Sequence, residues 1–315
     1  MVPKPEVKGE KPKLLVILGP TAAGKTRFGI DIARSLEAEI ISADSLQVYK
    51  YFDIGTAKPT PEERTEVRHH LIDIVYPDQD FNAGKFRETA NSVIESLHKS
   101  STKTILIGGT YLYVRVLLSG LIEDLPADEE IRGGLRKLRS ERGVDYVYDK
   151  LMSLDPEAAS KIHPNDYIRI ERALEVCYLT GQKVSKIRSQ HKFDDRDYEY
   201  LKIGIYRERQ PLRDRIDARV DDMIKKGLVD EVQNLGKMGY GRELKPMQSI
   251  GYKEINRYLE GEISLERAIE LIKRDTKRFA KRQMTWLRRD KEIKWLETPG
   301  DYMRVTDAAA RFFGR

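Results

Sequence analysis

The chain has 315 residues, of which 57 are Lys or Arg and 51 are Asp or Glu, so its formal net charge is +6. This length permits a large core in two lobes, and the positive charge is compatible with a polyanionic partner. No apolar run approaches a membrane span, and the single cysteine, Cys177, excludes an intramolecular disulfide and a cysteine-rich zinc site, so we expect a cytoplasmic protein with no membrane partner.

The first 12 residues are rich in Pro and Lys and predict a disordered tail. An apolar strand, Lys13–Leu18, follows, and Thr26–Leu36 has the spacing of an amphipathic helix. Between them lies the complete pattern G-x-x-x-x-G-K-[ST]. Its residues are Gly19, Pro20, Thr21, Ala22, Ala23, Gly24, Lys25 and Thr26.

This loop predicts a binding site for a di- or triphosphate. Its glycines let backbone N–H groups and the positive end of the helix point at a phosphate, Lys25 adds a charge, and Thr26 can place its hydroxyl on Mg²⁺. A glycine-rich turn without a ligand is the alternative, and the complete motif in its strand–helix context disfavours it. The loop alone does not identify the reaction.

Strands and helices alternate over the next segments. Glu39–Ile41 and Leu71–Val75 predict strands, the apolar spacing from Phe86 to Leu97 predicts a helix, and Thr104–Ile107 predicts a further strand. Such alternation is typical of an α/β fold, a parallel sheet flanked by helices on both faces. Together with the phosphate loop it indicates a sheet like that of P-loop NTPases.

The pattern changes to helices alone between residues 126 and 190. The predicted helices there are Glu129–Ser140, Val144–Leu154 and Tyr167–Thr180. We interpret 126–190 as an inserted all-helical domain. Strand character returns at Tyr200–Tyr206, so the core domain is predicted to comprise 13–125 and 191–315, including the C-terminal helices.

An acidic residue, Asp44, follows the strand Glu39–Ile41. Ligands of parallel sheets bind beyond the carboxyl ends of the strands, so Asp44 is the carboxylate expected beside the phosphate loop. The strand Thr104–Ile107 ends in Gly-Gly-Thr and supplies no acid there. Judged by position alone, an equally good alternative is that Asp44 caps the segment that follows it.

A long C-terminal helix is predicted to begin near Ser264, a suitable N-cap, and to continue past Trp286. Residues 273 to 294 include ten Lys or Arg and three acids. This excess favours a surface for RNA phosphates, because a merely solvated helix face usually interleaves acids with bases. Phe279 and Trp286 are predicted to lie in the core rather than to stack on bases.

Longer strings resemble those of the tRNA dimethylallyltransferases (tRNA isopentenyltransferases), the IPP transferase family. The matching segments are Asp44–Tyr49, Asp53–Pro59, Gly108–Thr110, Ile162–Gly181, Arg215–Leu228, Gln248–Lys253 and Lys281–Trp286, in unbroken order. Eukaryotic members carry a C-terminal Cys/His zinc finger, and this chain has no cysteine after Cys177. It therefore resembles the compact bacterial form.

The resemblance implies transfer of a dimethylallyl group from dimethylallyl diphosphate to N6 of the tRNA adenosine 3′-adjacent to the anticodon. It implies a monomer that uses Mg²⁺, held by Thr26. The five histidines form no metal-ligand spacing, so we expect no zinc. Asp44 would be the general base, and Arg219 would bind the diphosphate together with the loop. Thr21 matches a residue that contacts substrate near the transferred group, although turn geometry explains it almost as well. For Arg219 the alternative is an exposed arginine paired with Asp222 or Glu231.

The resemblance also implies that the inserted domain 126–190 and the core domain contact the anticodon stem-loop of tRNA. The matching residues are Asp44, Ser45, Leu46, Gln47, Thr110, Arg132, Ile168, Arg169, Ile170, Glu171, Arg172, Gln248, Lys253, Lys281, Arg282, Gln283, Trp286 and Arg288.

Three other functions share parts of this pattern. A small-molecule kinase would use the phosphate loop and would need Asp44 to orient an acceptor hydroxyl. A prenyltransferase acting on free adenine nucleotides would keep the catalytic core, but the basic helix would then have no purpose. A non-catalytic RNA-binding ATPase would need the strand-end acid that Thr104–Ile107 lacks.

Overall fold

The computed structural model describes residues 10–120, 125, 127–190, 197–297 and 302–314. The chain divides into two compact units. The core unit comprises Met1–Leu118 and Asp197–Arg315, and the helical unit comprises Ser119–Arg196. Most of the tail predicted over 1–12 lies outside the described residues, and residues 10–12 belong to no helix or strand.

The core unit is built on a six-stranded sheet in which every pair of neighbouring strands is parallel. Its strands are β1 (Lys13–Leu18), β2 (Ala38–Ser42), β3 (His69–His70), β4 (Lys103–Gly108), β5 (Glu199–Tyr206) and β6 (Lys294–Glu297). Their order across the sheet is β3-β2-β4-β1-β5-β6. The predicted α/β fold, a parallel sheet flanked by helices, is confirmed.

Helices connect and cover these strands in the core unit. They are α1 (Lys25–Leu36), α2 (Pro61–Glu66), α3 (Ala83–Lys99) and α4 (Tyr111–Ser119) before the helical unit, and α9 (Arg209–Lys225), α10 (Leu228–Lys237), α11 (Tyr252–Leu259), α12 (Leu265–Leu287) and α13 (Tyr302–Phe313) after it. A short 3-10 helix, Lys245–Gln248, precedes α11. None of the helices within the described ranges combines the length and apolar character needed to cross a membrane.

Strand β1 shows why the sheet forms as it does. Leu14, Val16 and Leu18 belong to one buried cluster, whereas Leu15 and Ile17 belong to another. Successive side chains of a strand point to opposite faces, so both faces of the sheet are covered. A continuous apolar run is the sequence signature of such a doubly buried strand, and this explains why β1 was predictable.

The strand predicted at Leu71–Val75 is wrong. The structure has only the short β3, His69–His70, and an isolated bridge between Tyr49 and Val75. Leu71 and Asp73 adopt positive φ angles of 61° and 57°, which are incompatible with an extended strand. The turn is stabilised by Lys58, whose buried Nζ donates to Asp73 Oδ1 at 2.6 Å.

All secondary structure in the described part of the helical unit is helical. It consists of α5 (Glu129–Leu154), α6 (Pro156–Ser160), α7 (Tyr167–Thr180) and α8 (Val184–Gln190). Helix α5 is interrupted at Gly143, whose φ of 86° is non-helical, and this matches the two segments predicted there. The unit has its own apolar core, which includes Cys177.

Helix α12 begins as predicted, because the Ser264 side chain accepts a hydrogen bond from the N–H of Arg267. The prediction that Phe279 and Trp286 lie in the core is wrong, since these side chains are 38% and 43% exposed. Ala280 instead takes a buried position, in one apolar cluster with Ala22 of the phosphate loop and with Leu212 and Ile216 of α9.

Candidate active site

The phosphate loop follows β1 and leads directly into α1. Gly24 has a φ of 102° at the position before the first helical residue, and the N–H of Ala23 donates to Pro20 O at 3.2 Å. Only glycine adopts such a φ readily, so this turn requires Gly24. The free N–H groups at the start of α1 therefore border the loop, as an anion site requires.

Lys25 is the first cation of the site. Its Nζ donates to Pro20 O at 2.8 Å. Burial, reinforced by the positive charge of Arg219 and opposed by Asp44, lowers the pKa of Lys25 from 10.5 to about 8. A bound anion next to the ammonium group would therefore raise the pKa of Lys25 again.

Three arginines surround the loop. Arg207 Nε donates to Ala23 O at 2.9 Å, and Arg215 Nε donates to Ala22 O at 3.0 Å. Arg219 Nη2 donates to Thr56 O at 3.4 Å. Burial and the charge of Arg215 lower the pKa of Arg219, whereas Asp44 raises it.

Arg207 and Arg215 were missed as site residues. Two signals in the sequence could have identified them. Arg207 directly follows β5, which neighbours β1 in the parallel sheet, so it emerges at the same edge as the phosphate loop. Arg215 precedes Arg219 by four residues and lies on the same face of α9.

The alternative partners considered for Arg219 are engaged elsewhere. Asp222 Oδ2 pairs with Lys226 at 2.8 Å. Glu231 accepts hydrogen bonds from backbone N–H groups of the segment 53–55. Neither carboxylate neutralises Arg219, so the guanidinium retains its charge for a ligand.

Asp44 lies at the end of β2, where the chain is tied to β4. Ala43 N donates to Ile107 O at 2.7 Å, and a Cβ on Gly108 would lie 2.1 Å from Ala43 O. This close approach requires glycine after β4 and fixes the backbone next to Asp44. The Gly-Gly-Thr end of β4 therefore supports the acid that follows the neighbouring strand.

The two carboxylate oxygens of Asp44 have different surroundings. Asp44 Oδ1 accepts from the N–H groups of Leu46 at 2.9 Å and Gln47 at 3.3 Å, which is the predicted cap. Asp44 also lines the cavity described next, and within the described part of the chain its Oδ2 accepts no hydrogen bond. One oxygen is thus available for a substrate.

A cavity of about 430 Å³ brings many of the predicted residues together. Those that line it are Thr21, Lys25, Thr26, Asp44, Ser45, Leu46, Gln47, Arg219, Gln248, Arg282 and Gln283. A second cavity of about 620 Å³ shares Lys25, Thr26 and Arg219 with the first and adds Arg215. The cations of the loop therefore border both spaces, whereas Asp44 borders only the first.

Gln283 has an internal role that was not expected. Its Oε1 accepts from Thr21 N at 2.8 Å, and its Nε2 donates to Gly109 O at 2.9 Å. Gln283 therefore links α12 to the phosphate loop and to the end of β4. Its predicted contact with tRNA would have to share an amide that is already hydrogen-bonded on both sides.

Other predicted tRNA residues of the core unit differ in their surroundings. Thr110 Oγ1 accepts from Ser45 N at 3.1 Å, and Gln248 Nε2 donates to the carbonyl of Arg242. Lys253 pairs with Glu254 at 3.4 Å. The remaining positions on or after α12 are exposed, namely Lys281, Arg282, Trp286 and Arg288.

In the helical unit, Ile168 is 77% exposed, and Arg169 is also exposed, as a contact residue should be. The prediction for Ile170 is wrong for its side chain, which is fully buried in the core of that unit. Positions 168 to 172 lie within one helix, α7, so they cannot all face outward.

Arg132 and Arg172 share one buried carboxylate in the helical unit. Glu175 accepts from Arg132 Nε at 2.8 Å and from Arg172 Nη1 at 2.7 Å. The neighbouring Glu171 accepts from the Tyr167 hydroxyl at 3.2 Å. Glu175 therefore holds both arginines in place before any ligand binds.

The site offers few protein ligands for Mg²⁺. No group of three or more His, Cys, Asp or Glu among the described residues could hold a metal ion. Mg²⁺ commonly binds through few protein ligands together with substrate phosphates and water. Thr26 lines the cavity at the start of α1, so the donor set fits a metal that binds together with a diphosphate.

Diphosphate affinity is expected to fall as pH rises above about 8, because Lys25 has its pKa near 8 and must be protonated to attract an anion. Calorimetric titration of pyrophosphate at several pH values measures this effect. Lys25→Met should bind more weakly and lack the inflection due to Lys25, while the titration of pyrophosphate itself is common to both proteins. An identical pH profile in the variant would contradict the role of Lys25.

Comparisons with known proteins show what this chain resembles. A family model described as IPP transferase matches residues 47–290. The tRNA dimethylallyltransferase 2 of Geotalea uraniireducens is 48% identical over 308 residues, covering 98% of this chain and 99% of that protein. The corresponding protein of Geotalea daltonii is 47% identical over 306 residues, covering 97% and 94%.

Solved structures are similar as well. The full-length tRNA isopentenylpyrophosphate transferase of Bacillus halodurans is 40% identical with a TM-score of 0.71, covering 96% of this chain and 97% of that one. A eukaryotic dimethylallyltransferase acting on tRNA is 30% identical with a TM-score of 0.82, covering 95% of this chain and 77% of that one.

Proposed function

This chain belongs to the IPP transferase family, and we propose that it transfers a dimethylallyl group from dimethylallyl diphosphate to N6 of the tRNA adenosine 3′-adjacent to the anticodon. The protein is an enzyme that prenylates tRNA. The observation that supports the finer proposal is that Lys25, Arg219 and Asp44 all border the same cavity, the one of about 430 Å³.

The reaction first requires that the charge on the departing diphosphate be stabilised. As the C–O bond breaks, its electron pair and negative charge pass to an oxygen of the diphosphate. Groups that stabilise this charge more than the ground state accelerate the reaction. Lys25 and Arg219 border the cavity, and Arg207 and Arg215 hydrogen-bond the loop carbonyls beside them. These four cations support diphosphate as the leaving group.

A divalent cation would assist the same step. The family's diphosphate substrate is compatible with a metal, and we propose Mg²⁺ held by the Thr26 hydroxyl together with phosphate oxygens. When bound, it would neutralise part of the charge on the diphosphate. Thr21 donates its N–H to Gln283, so its proposed contact with substrate would be made by its side chain.

The reaction also requires that the nucleophile, the adenine amine, be activated. The exocyclic amine of adenine shares its lone pair with the ring and is a poor nucleophile unless its proton is removed. We propose that Asp44 Oδ2 accepts this proton while N6 bonds to the allylic carbon. General-base catalysis of this kind contributes about 10²–10⁴-fold. The cap made by Oδ1 holds the carboxylate in position for that role.

The target adenosine must leave the stacked loop before N6 can react. The exposed basic residues of α12 support an RNA surface next to the cavity, because Arg282 and Phe279 line the cavity and Lys281 is exposed beside them. Arg282 also lies 5.9 Å from the Phe279 ring, so cation and aromatic face are adjacent.

Removing the charges of Lys281 and Arg282 is expected to weaken tRNA binding and to flatten its salt dependence. Each lost phosphate contact lowers the slope of log K against log salt by about 0.7–0.9. The matched control replaces two exposed lysines outside this surface, Lys99 and Lys237, by alanine. Filter-binding titrations at several salt concentrations measure the slopes. An unchanged slope in the first double variant would contradict an RNA contact on α12.

A labelled-donor assay tests the proposed function against its alternatives. Purified protein is given labelled dimethylallyl diphosphate or labelled ATP, with bulk tRNA or AMP as acceptor. We expect label to pass from the prenyl donor to tRNA. Transfer mainly to AMP would favour a prenyltransferase of free nucleotides, transfer of phosphate from ATP to a small acceptor would favour a kinase, and hydrolysis of ATP alone would favour an RNA-binding ATPase.

A further inference from the structure

Glu231 lies near the start of α10 and makes an unusual set of contacts. Its Oε2 accepts from the N–H groups of Asp53 at 3.1 Å and Ile54 at 2.7 Å. Its Oε1 accepts from Gly55 N at 3.1 Å and from the Tyr252 hydroxyl at 2.6 Å. Three consecutive backbone N–H groups that converge in this way form an anion site, and here the protein's own carboxylate fills it.

The segment held by Glu231 forms part of the wall of the cavity. Gly55, Thr56 and Ala57 line the cavity directly. Glu231 binds the first part of this segment through its backbone, so its contacts do not depend on the side chains there. The position of the wall is therefore set by a residue that does not itself line the cavity.

Two backbone carbonyls of the same segment are linked to Arg219, on the diphosphate side of the site, and to Asp44, the proposed base. Thr56 O accepts from Arg219 Nη2 at 3.4 Å, the one hydrogen bond that Arg219 makes with the described residues. Ala57 O accepts from Gln47 Nε2 at 3.4 Å, and the N–H of Gln47 donates to Asp44 Oδ1. A shift of this wall would displace Arg219 directly and Asp44 through Gln47.

Tyr252 contacts both Glu231 and the backbone of the segment 53–57. A Cβ on Gly55 would lie 2.5 Å from the Tyr252 ring, so the backbone is packed against the ring without space for a side chain. Burial, together with the charge of Glu231, raises the pKa of the Tyr252 hydroxyl well above 10.0. The hydroxyl therefore stays protonated and remains a donor to Glu231.

The end of the segment has an independent anchor. Lys58 Nζ is buried and donates to Tyr49 O at 2.9 Å and to Asp53 Oδ1 at 2.7 Å. The loss of Glu231 alone would therefore loosen residues 53–57 while the flanking lysine still ties the loop to the core. A variant at Glu231 is expected to fold with a local defect.

We propose that Glu231 is a positioning residue for prenyl transfer, which fixes the wall at 53–57 so that Thr56 O directs Arg219 toward the diphosphate. This inference rests on the proposed function and names a residue outside the phosphate loop and outside the RNA surface. Its effect is expected on the chemical step and on diphosphate binding, and not on tRNA affinity.

Glu231→Ala tests the proposal, because it leaves three N–H groups and the Tyr252 hydroxyl around a space that a small carboxylate can occupy. Misplacement of a catalytic group by about 1 Å can lower a rate about 10²-fold. We expect kcat to fall about 10- to 100-fold with KM for tRNA within about twofold, and formate to restore part of the loss. Asp230→Ala, on the same turn of α10, is the matched control and should behave as wild type.

Two measurements keep the test decisive. Pyrophosphate titration should show weaker binding by Glu231→Ala and recovery with formate, and this readout stands even if the prenyl-transfer assay of the wild type fails. Should Glu231→Ala not fold, Glu231→Gln should show the same loss in kcat without rescue, since its amide fills the space. An unchanged kcat and pyrophosphate affinity in a folded variant, or an equal loss of tRNA binding, would overturn the proposal.

Discussion

Replacing Asp44 by asparagine is expected to lower the rate of prenyl transfer by about 10²–10⁴-fold and to leave tRNA affinity nearly unchanged. Asparagine keeps an oxygen for the N–H groups of Leu46 and Gln47, so the cap survives. It removes the oxygen that can accept a proton from the adenine amine. The substitution therefore separates the observed cap from the proposed role of Asp44 as a base.

Single-turnover measurements on the preformed complex of enzyme and tRNA check this prediction. The affinity for tRNA is measured in the same samples. Asp44→Ala, which removes both the cap and the base, should be as slow as the asparagine variant and less stable. An asparagine variant with normal turnover would mean that Asp44 only caps the chain. A loss of tRNA binding as large as the loss of rate would mean that it holds RNA.

The second large effect is expected for Arg219→Gln. The loss of one preorganised donor to a developing negative charge typically lowers kcat by about 10²–10³-fold. Arg219 is positioned for this role because Thr56 O holds its guanidinium and Asp222 and Glu231 are engaged elsewhere. The variant should also bind pyrophosphate more weakly, because the lost charge attracts the product as well.

Steady-state kinetics with dimethylallyl diphosphate, together with product inhibition by pyrophosphate, check this expectation. The matched control is Arg213→Gln, an exposed arginine on the same helix. It should retain wild-type rates and inhibition. A variant of Arg219 that changes only the KM for tRNA would place this arginine on the RNA side of the reaction.

Much of the core unit could be predicted because its signals are local. The phosphate loop occupies a fixed spacing between a buried strand and a helix, and β1 is a continuous apolar run. By contrast, the strand expected at Leu71–Val75 fails because Leu71 and Asp73 adopt positive φ. The contact between Lys58 and Asp73 that stabilises this turn joins residues 15 apart, which a short apolar window does not register.

The contacts that could not be read from the sequence join distant segments. Arg207 reaches Ala23 across the boundary between β5 and β1, and the two residues are 184 positions apart. Gln283 joins Thr21 from a helix 262 positions away. The family pattern includes Gln283 as an RNA contact, but only the fold reveals that both ends of its amide are used within the protein.

The same reason explains the errors on helices. The periodicity of α12 does not reveal that Ala280 belongs to one buried cluster with Ala22, so it predicts Phe279 and Trp286 in the core although both are exposed. In α7 a contiguous family segment includes Ile170, which the helix turns into the interior. A string of residues specifies a helix, but its packing partners decide which side chains can meet a ligand.

The arrangement of the phosphate loop and Asp44 is tested most directly by a crystal structure of the protein with pyrophosphate, Mg²⁺ and an anticodon stem-loop. We expect pyrophosphate on residues 19–26 and Arg219, with an unstacked adenine whose N6 lies within about 2.6–3.2 Å of Asp44 Oδ2. An adenine bound away from Asp44, or pyrophosphate bound away from the loop, would contradict this arrangement.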